Sequence, residues 1–228
     1  MSAGPLVVAH RGAWGEAPQN SLQALEQAIQ TGCEMVELDV RRTRDGCLVA
    51  VHDARVRGTS VRAQDREQLQ ARLAPGQAPL LAEMVAAAAG RIALDVELKA
   101  PGYADQTLSA LGALDADQYV VTSFSDRALA EVRATAPRTR TGLLLGPGRT
   151  PRRLEARVRQ TGARFLALHA SVARAGLLAW ATERAMPSYV WTVNDQRALR
   201  QWLADDRVAA VITDRPAAAV ALRRELAS

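Results

Sequence analysis

The residues able to do chemistry in this 228-residue chain are few and specifically placed. Only three histidines occur: His10, His52 and His169. Two of them close apolar runs, Val7–Ala9 and Val49–Val51, and each is followed at once by a charged residue, Arg11 or Asp53. Imidazole titrates near neutral pH, so His10 and His52 can give and take protons there. His169 ends the run Phe165–Leu168, and its type and position fit a rim residue or a structural one equally. Carboxylates sit inside apolar runs too: Glu37 and Asp39 within Val36–Val40, Asp95 and Glu97 just before Lys99. Acids in buried strands are costly unless they are paired or bind a metal. An all-oxygen set made of Glu37, Asp39 and Glu97 suits one divalent cation, Mg²⁺ or Ca²⁺. Lys99 is the only lysine; the other basic residues are arginines. Arg11 can fork onto a phosphate, and Lys99 can add a compact point charge.

These residues need elements to position them. Short β-branched runs alternate with helical stretches along the chain. Strands are predicted at Leu6–Ala9, Met35–Val40, Ile92–Leu98, Tyr119–Ser123, Thr139–Leu145, Arg164–Leu168, Ser188–Val193 and Ala209–Thr213. Helices are predicted between them, at Ser21–Gln30, Ala82–Ala89, Gln106–Leu114, Asp126–Ala134, Pro151–Gln160, Ser171–Glu183, Asp195–Ala204 and Arg215–Leu226. Several open on a capping residue, such as Ser21, Ser125 or Asp195. Eight strands alternating with helices predict an α/β fold, a closed (β/α)8 TIM barrel, with a doubly wound sheet as the other option. A ninth run, Cys47–Val51, follows the second strand with no room for a helix, and Asp45-Gly46 between them signals a hairpin. Residues 53–80 then read as a short insertion within a single domain, 1–228. Side chains two apart on a strand share a face, so Glu37 joins Asp39 and Glu97 joins Lys99. Active sites of such barrels lie at the C-terminal ends of the strands, where these residues fall.

Composition narrows the class. The apolar share, 48%, is that of an ordinary globular protein. The net charge is +5, yet the arginines are spread along the chain and no aromatic-interleaved basic motif occurs, which argues against nucleic acid. Arg152, Arg153, Arg157 and Arg159 read as a solvated helix face. No apolar run approaches the ~18 residues of a membrane span, so stable membrane insertion is not expected. The start of the chain lacks a positive, apolar leader, and the expected location is cytoplasmic. Cys33 and Cys47 are expected to be buried, reduced thiols.

The ordered motifs resemble the glycerophosphodiester phosphodiesterase family almost end to end. That family's His-Arg-Gly opening corresponds to His10-Arg11-Gly12, and its Pro-Glu-Asn-Thr box to Pro18-Gln19-Asn20-Ser21. Its Glu-x-Asp-Val, Thr-x-Asp-Gly and His-Asp boxes correspond to Glu37-Leu38-Asp39-Val40, Thr43-Arg44-Asp45-Gly46 and His52-Asp53. Glu97-Leu98-Lys99, Ser123-Phe124, Trp191-Thr192-Val193-Asn194 and Thr213-Asp214 complete the series. Each box alone is weak; their shared order is specific.

The resemblance implies a barrel with a metal on Glu37, Asp39 and Glu97. His10 and His52 would be general acid and base. Arg11 and Lys99 would hold the phosphate of a small glycerophosphodiester, and Trp191 would line the pocket. The implied products are glycerol 3-phosphate and an alcohol, from a monomer or homodimer. Two departures stand out. Gln19 replaces an acid, keeping hydrogen bonding and losing a charge. The interval from His52 to Glu97 is short for the family, which implies a reduced cap and leaves Arg55, Arg57 and Arg62 near the mouth. The alternatives are a lysophospholipase D-like or sphingomyelinase D-like enzyme, which would need an apolar entrance, and an inactive phosphate-binding barrel, for which Gln19 would be the sign.

Overall fold

The structure, a computed structural model, describes residues 4–15, 17–147 and 153–227. The chain opens with β1 (Leu6–His10), α1 (Leu22–Thr31) and β2 (Met35–Arg42), followed by a short antiparallel strand, β3 (Leu48–Ala50). A small hairpin, β4 (Arg55–Val56) and β5 (Thr59–Ser60), and a short helix, α2 (Arg66–Gln70), precede α3 (Leu81–Ala88). Strands and helices then alternate: β6 (Ala93–Leu98), α4 (Ala104–Leu111), β7 (Tyr119–Ser123), α5 (Asp126–Thr135), β8 (Thr141–Leu145), α6 (Leu154–Thr161) and β9 (Phe165–His169). The last turns of the barrel are α7 (Ala170–Val172), α8 (Leu178–Thr182), β10 (Ser188–Trp191), α9 (Gln196–Leu203), β11 (Ala210–Thr213) and α10 (Pro216–Ala227). β1 pairs in parallel with β11 on one side (Val7 opposite Val211) and β2 on the other (Ala9 opposite Val36), which closes eight parallel strands into a barrel. β3 pairs antiparallel with the end of β2, Val40 opposite Ala50, as the Asp45-Gly46 turn predicts.

The alternation along each strand explains both the fold and the site. Val36, Leu38 and Val40 of β2 and Leu94, Val96 and Leu98 of β6 belong to the apolar layer shared with the helices. The intervening residues face inward. Low in the barrel they are apolar: Val8, Met35, Val120, Phe165, Tyr189 and Ala210 form one packed cluster. One turn of the pleat higher, the same inward stripe becomes polar, with His10 on β1, Glu37 and Asp39 on β2, and Asp95 and Glu97 on β6. Phe165 stacks on Tyr189 with ring centroids 4.4 Å apart and fills the lower barrel. It fits because β8 carries Gly142, where a Cβ would come within 2.3 Å of the Phe165 ring. Full burial of such a side chain is worth about 1.5–3 kcal/mol.

The insertion has a small core of its own, with Val49, Val56, Val61, Leu69 and Ala78 buried together. Three expectations need correction. The helix predicted over Ser171–Glu183 is two short helices joined by a wide turn, because Gly176 adopts a left-handed φ of 107° that interrupts helical geometry. Cys33 is buried but Cys47 is only half-buried, since it lies at the open end of the β2–β3 turn. The basic cluster is not one solvated face: Arg157 forks onto Asp126 at 2.7–3.1 Å, while Arg153 and Arg159 are exposed. Arg152, and the predicted helix start at Pro151, lie outside the described residues.

Candidate active site

The first loop carries much of the local positioning. Ser21 caps α1, its Oγ accepting from the Ala24 amide at 3.1 Å. The loop packs tightly on that helix at Gly12, where φ is +88° and a Cβ would lie 2.8 Å from the Ala24 backbone. Arg11 and Asn20 both adopt left-handed φ, 59° and 54°, and the Asn20 amide donates to the Arg11 carbonyl at 2.9 Å. Such geometry is uncommon for residues other than glycine and persists where surroundings enforce it. Its effect is to aim both side chains at Asp39. Asn20 Nδ2 donates to Asp39 Oδ2 at 2.8 Å, and the Asp39 amide donates back to Asn20 Oδ1 at 3.0 Å. Arg11 Nε lies 3.1 Å from Asp39 Oδ2 as an ion pair, without the angle of a hydrogen bond. Its Nη1 donates to Gln19 Oε1 at 2.7 Å, so the amide at position 19 serves as acceptor for Arg11.

Glu37, Asp39 and Glu97 are buried, and each offers a carboxylate oxygen within 4.8 Å of the others. Such a cluster could hold a metal ion: hard oxygen donors, grouped and withdrawn from water, match what Mg²⁺ and Ca²⁺ take. Lys99 Nζ reaches two of the three, Asp39 Oδ1 at 2.9 Å and Glu97 Oε1 at 2.7 Å. Burial works to raise the Asp39 carboxyl, but Lys99 and Arg11 hold it below the usual carboxylate range. Burial pushes Glu97 up, with Lys99 opposing. Glu37 stands well above its ordinary value, first through burial and then through the charges of Asp39 and Glu97. Its one hydrogen bond on this side comes from the Arg11 amide, 3.1 Å from Oε2. Asp95, lower on β6, accepts from Thr122 Oγ1 at 2.7 Å, and burial raises it to about 7.

The two histidines are held alike. His10 Nδ1 lies 2.6 Å from Asp214 Oδ1, and its Nε2 turns toward the cluster, 3.9 Å from Glu37 Oε2. His52 Nδ1 lies 2.8 Å from Asp53 Oδ1, and its carbonyl accepts from Arg41 Nε at 2.8 Å. In each case the carboxylate favours the tautomer with the proton on Nδ1 and leaves Nε2 able to accept a proton. Burial lowers the His52 pKa, with Asp53 opposing. Asp214 would be raised by burial, but His10 and Asn194 hold it below its usual value.

A cavity of about 280 Å³ joins these groups, lined by His10, Glu37, His52, Lys99, Phe124 and Trp191 among others. Trp191 is fixed by a hydrogen bond from Nε1 to the Ala167 carbonyl, 2.9 Å, and by the Phe124 ring at 5.6 Å. His169 does not line the cavity. It sits edge-on to Trp191 at 5.1 Å, and its Nδ1 engages Ser171, so it buttresses the wall. Sequence reasoning gives no role at the site to Asn20, Phe124, Asn194 or Asp214, although all lie in the boxes that carry the family resemblance.

Two nitrogen bases, an oxygen-only acidic cluster and two fixed cations thus meet at the top of a closed parallel barrel of the TIM class, an arrangement suited to phosphate-ester chemistry. The Glycerophosphoryl diester phosphodiesterase family profile matches residues 10–218, and the chain belongs to that family. It is similar to a glycerophosphodiester phosphodiesterase of Parabacteroides distasonis, 25% identical with a TM-score of 0.84, over 99% of each chain. An Oleispira antarctica phosphodiesterase, solved in complex with the product sn-glycerol-3-phosphate, has the same fold, with a TM-score of 0.79 at 24% identity over 100% of this chain and 98% of that one. Two Mycobacterium tuberculosis relatives are 49% identical over 63 residues, which span 28% of this chain and 23% of theirs. No helix among the described residues is long and apolar enough to cross a membrane.

Proposed function

We propose that this chain hydrolyses glycerophosphodiesters to glycerol 3-phosphate and a free alcohol, with His10 and His52 as its acid–base pair. The observation that carries this is the matched tethering of the two imidazoles, each Nδ1 on a carboxylate, in one cavity with Arg11, Lys99, Glu37 and Glu97. Arg11 and Lys99 bind the phosphate. Phe124 and Trp191 wall the glycerol side, and Gln19 keeps Arg11 in place. Mg²⁺ or Ca²⁺ on Glu37, Asp39 and Glu97 would supply Lewis-acid charge to a phosphoryl oxygen. His10, deeper in the cavity, removes the proton from the attacking hydroxyl, either glycerol's own or a water's. His52, at the outer edge, protonates the departing alcohol. In a path through a cyclic intermediate the two exchange roles for the second step.

The reading takes the chain as one cytoplasmic domain, monomeric or dimeric, with residues 53–80 as a short insertion. A purified-protein assay across Mg²⁺, Ca²⁺ and EDTA, on glycerophosphocholine and lysophosphatidylcholine, tests it. Wild type should release glycerol 3-phosphate from the first substrate only when an ion is present. His10→Ala should lower that rate by roughly 10²- to 10⁴-fold. Equal turnover by wild type and variant would sink the assignment.

A further inference from the structure

A second, larger cleft of about 560 Å³ lies beside the catalytic cavity, and Arg11 and His52 line both. Its far wall is the insertion, which contributes Arg55 and Arg57, with Gln77 and Trp14 alongside. The charge in this cleft is uneven. Among the described residues its one carboxylate is Asp53, engaged by His52 Nδ1 at 2.8 Å. Arg55 is exposed and spends Nε on the Gly58 carbonyl at 3.0 Å, which leaves the rest of its guanidinium open. Arg57 is exposed, with no acidic partner among the described residues, and is carried by a left-handed φ of 46° at the tip of the β4–β5 hairpin. Arg62 faces elsewhere, lining a separate cleft with Arg41 and Arg42.

We propose that this outer cleft receives the leaving alcohol, and that Arg55 and Arg57 select alcohols bearing an anionic group, a carboxylate or a phosphate, over cationic ones. The inference rests on the proposed function and extends it to the head group. A phosphodiester has two arms. If the phosphate sits at Arg11 and His52, where the two spaces meet, one arm enters the aromatic-walled cavity and the other enters the arginine-walled cleft. His52 then stands where the departing oxygen needs a proton. Opposite charges attract across such distances and like charges repel, so a choline-type ammonium is disfavoured where a carboxylate is favoured. Two exposed guanidiniums give a discrimination of roughly five- to thirty-fold, reduced by salt.

The test uses three substrates that share glycerol phosphate and differ in the charge of the leaving alcohol: glycerophosphoglycolate, glycerophosphoglycerol and glycerophosphocholine. The expected kcat/KM order is carboxylate, then neutral, then cation, with the spread shrinking in high salt. In Arg55→Gln/Arg57→Gln the order should collapse to within about two-fold. Arg138→Gln/Arg197→Gln, an exposed pair outside both cavities, matches the change in net charge and should keep it. Turnover of all three substrates without this order, or an order that survives the double substitution, overturns the head-group inference alone. Failure to turn over any of them with the ion supplied overturns the proposed function, and the inference with it.

Discussion

Replacing Asp214 by asparagine should place the His10 proton on the wrong nitrogen, and the hydrogen bonds around the site say why. The Asn194 amide has a fixed orientation, because its Oδ1 accepts from the Asp214 backbone N–H at 2.9 Å and from Thr213 Oγ1 at 3.2 Å. Its Nδ2 must therefore donate to Asp214 Oδ2, 2.5 Å away. An asparagine at position 214 would have to present its oxygen to that donor, which turns its own NH₂ toward His10. His10 Nδ1 must then accept, and the proton moves to Nε2, the nitrogen that should act as base. Loss of the correct tautomer should lower kcat by roughly 10²- to 10⁴-fold, about 3–5 kcal/mol of barrier. Shape and burial hardly change, so Tm should move by only a few degrees. Combining Asn194→Asp with Asp214→Asn restores the pattern in mirror form. The carboxylate introduced at position 194 accepts from the amide introduced at position 214, whose oxygen then turns back to His10. The double variant should regain at least ten-fold over Asp214→Asn. Glycerol 3-phosphate release gives the rates, and nitrogen-15 shifts of the His10 ring give the tautomer. An Asp214→Asn enzyme with near-normal kcat, or with the proton still on Nδ1, refutes the reasoning.

Other perturbations follow from the same geometry. Asp53 holds the His52 pKa up against burial, so Asp53→Asn should shift the limb of the pH–rate profile that His52 controls to lower pH. With His52 as the acid for the leaving alcohol, that is the alkaline limb; movement of the acidic limb would reverse the two histidines' roles. Glu37 is raised when no ion is bound, so the folded protein holds more protons there than the unfolded chain. The ion-free protein should lose stability as pH rises above ~4.5, and binding of Mg²⁺ or Ca²⁺ should release up to about one proton, measurable by calorimetry in buffers of different ionisation enthalpy. Gly142→Ala drives a methyl into the stacked Phe165 ring and should cost about 1–3 kcal/mol in denaturant unfolding; a cost below ~0.5 kcal/mol would mean that the lower barrel is looser than its packing implies.

The barrel was legible because its strands alternate two environments with one period. Val36, Leu38 and Val40 announce a helix-facing layer, so Glu37 and Asp39 had to point inward. The capping residues were equally local: Ser21, Ser125 and Asp195 each accept from the amide three residues on. What stayed hidden depends on distant contacts or on one torsion. The partner of His10 lies 204 residues away, and nothing local to Asp214 says which histidine it meets. The break at Gly176 was hidden for the other reason. A lone glycine in a helical pattern is usually tolerated, and only its actual φ shows that the helix is divided. The insertion reads in the sequence as a trimmed cap, and its place as a wall depends on the fold bringing Arg55, Arg57 and Gln77 into one cleft with Arg11 and His52.

The charge balance at the rim explains why the chain's only lysine stands at 99. Asp39 is answered twice, by Lys99 and Arg11, and Glu97 once, by Lys99. Among the described residues Glu37 has only an amide hydrogen and an imidazole edge at 3.9 Å. The site thus gathers three carboxylates around two fixed cations, and the unbalanced one faces His10. A guanidinium at position 99 would spread its charge over a plane too broad to bridge two carboxylates at 2.7 and 2.9 Å from a single nitrogen. The ammonium does so from one point, and Glu37, Asp39 and Glu97 remain the residues that would hold a cation of higher charge. On the proposed function, position 99 therefore sets two properties together: how far the acidic cluster is neutralised before an ion binds, and how much positive field remains for the phosphate once it has.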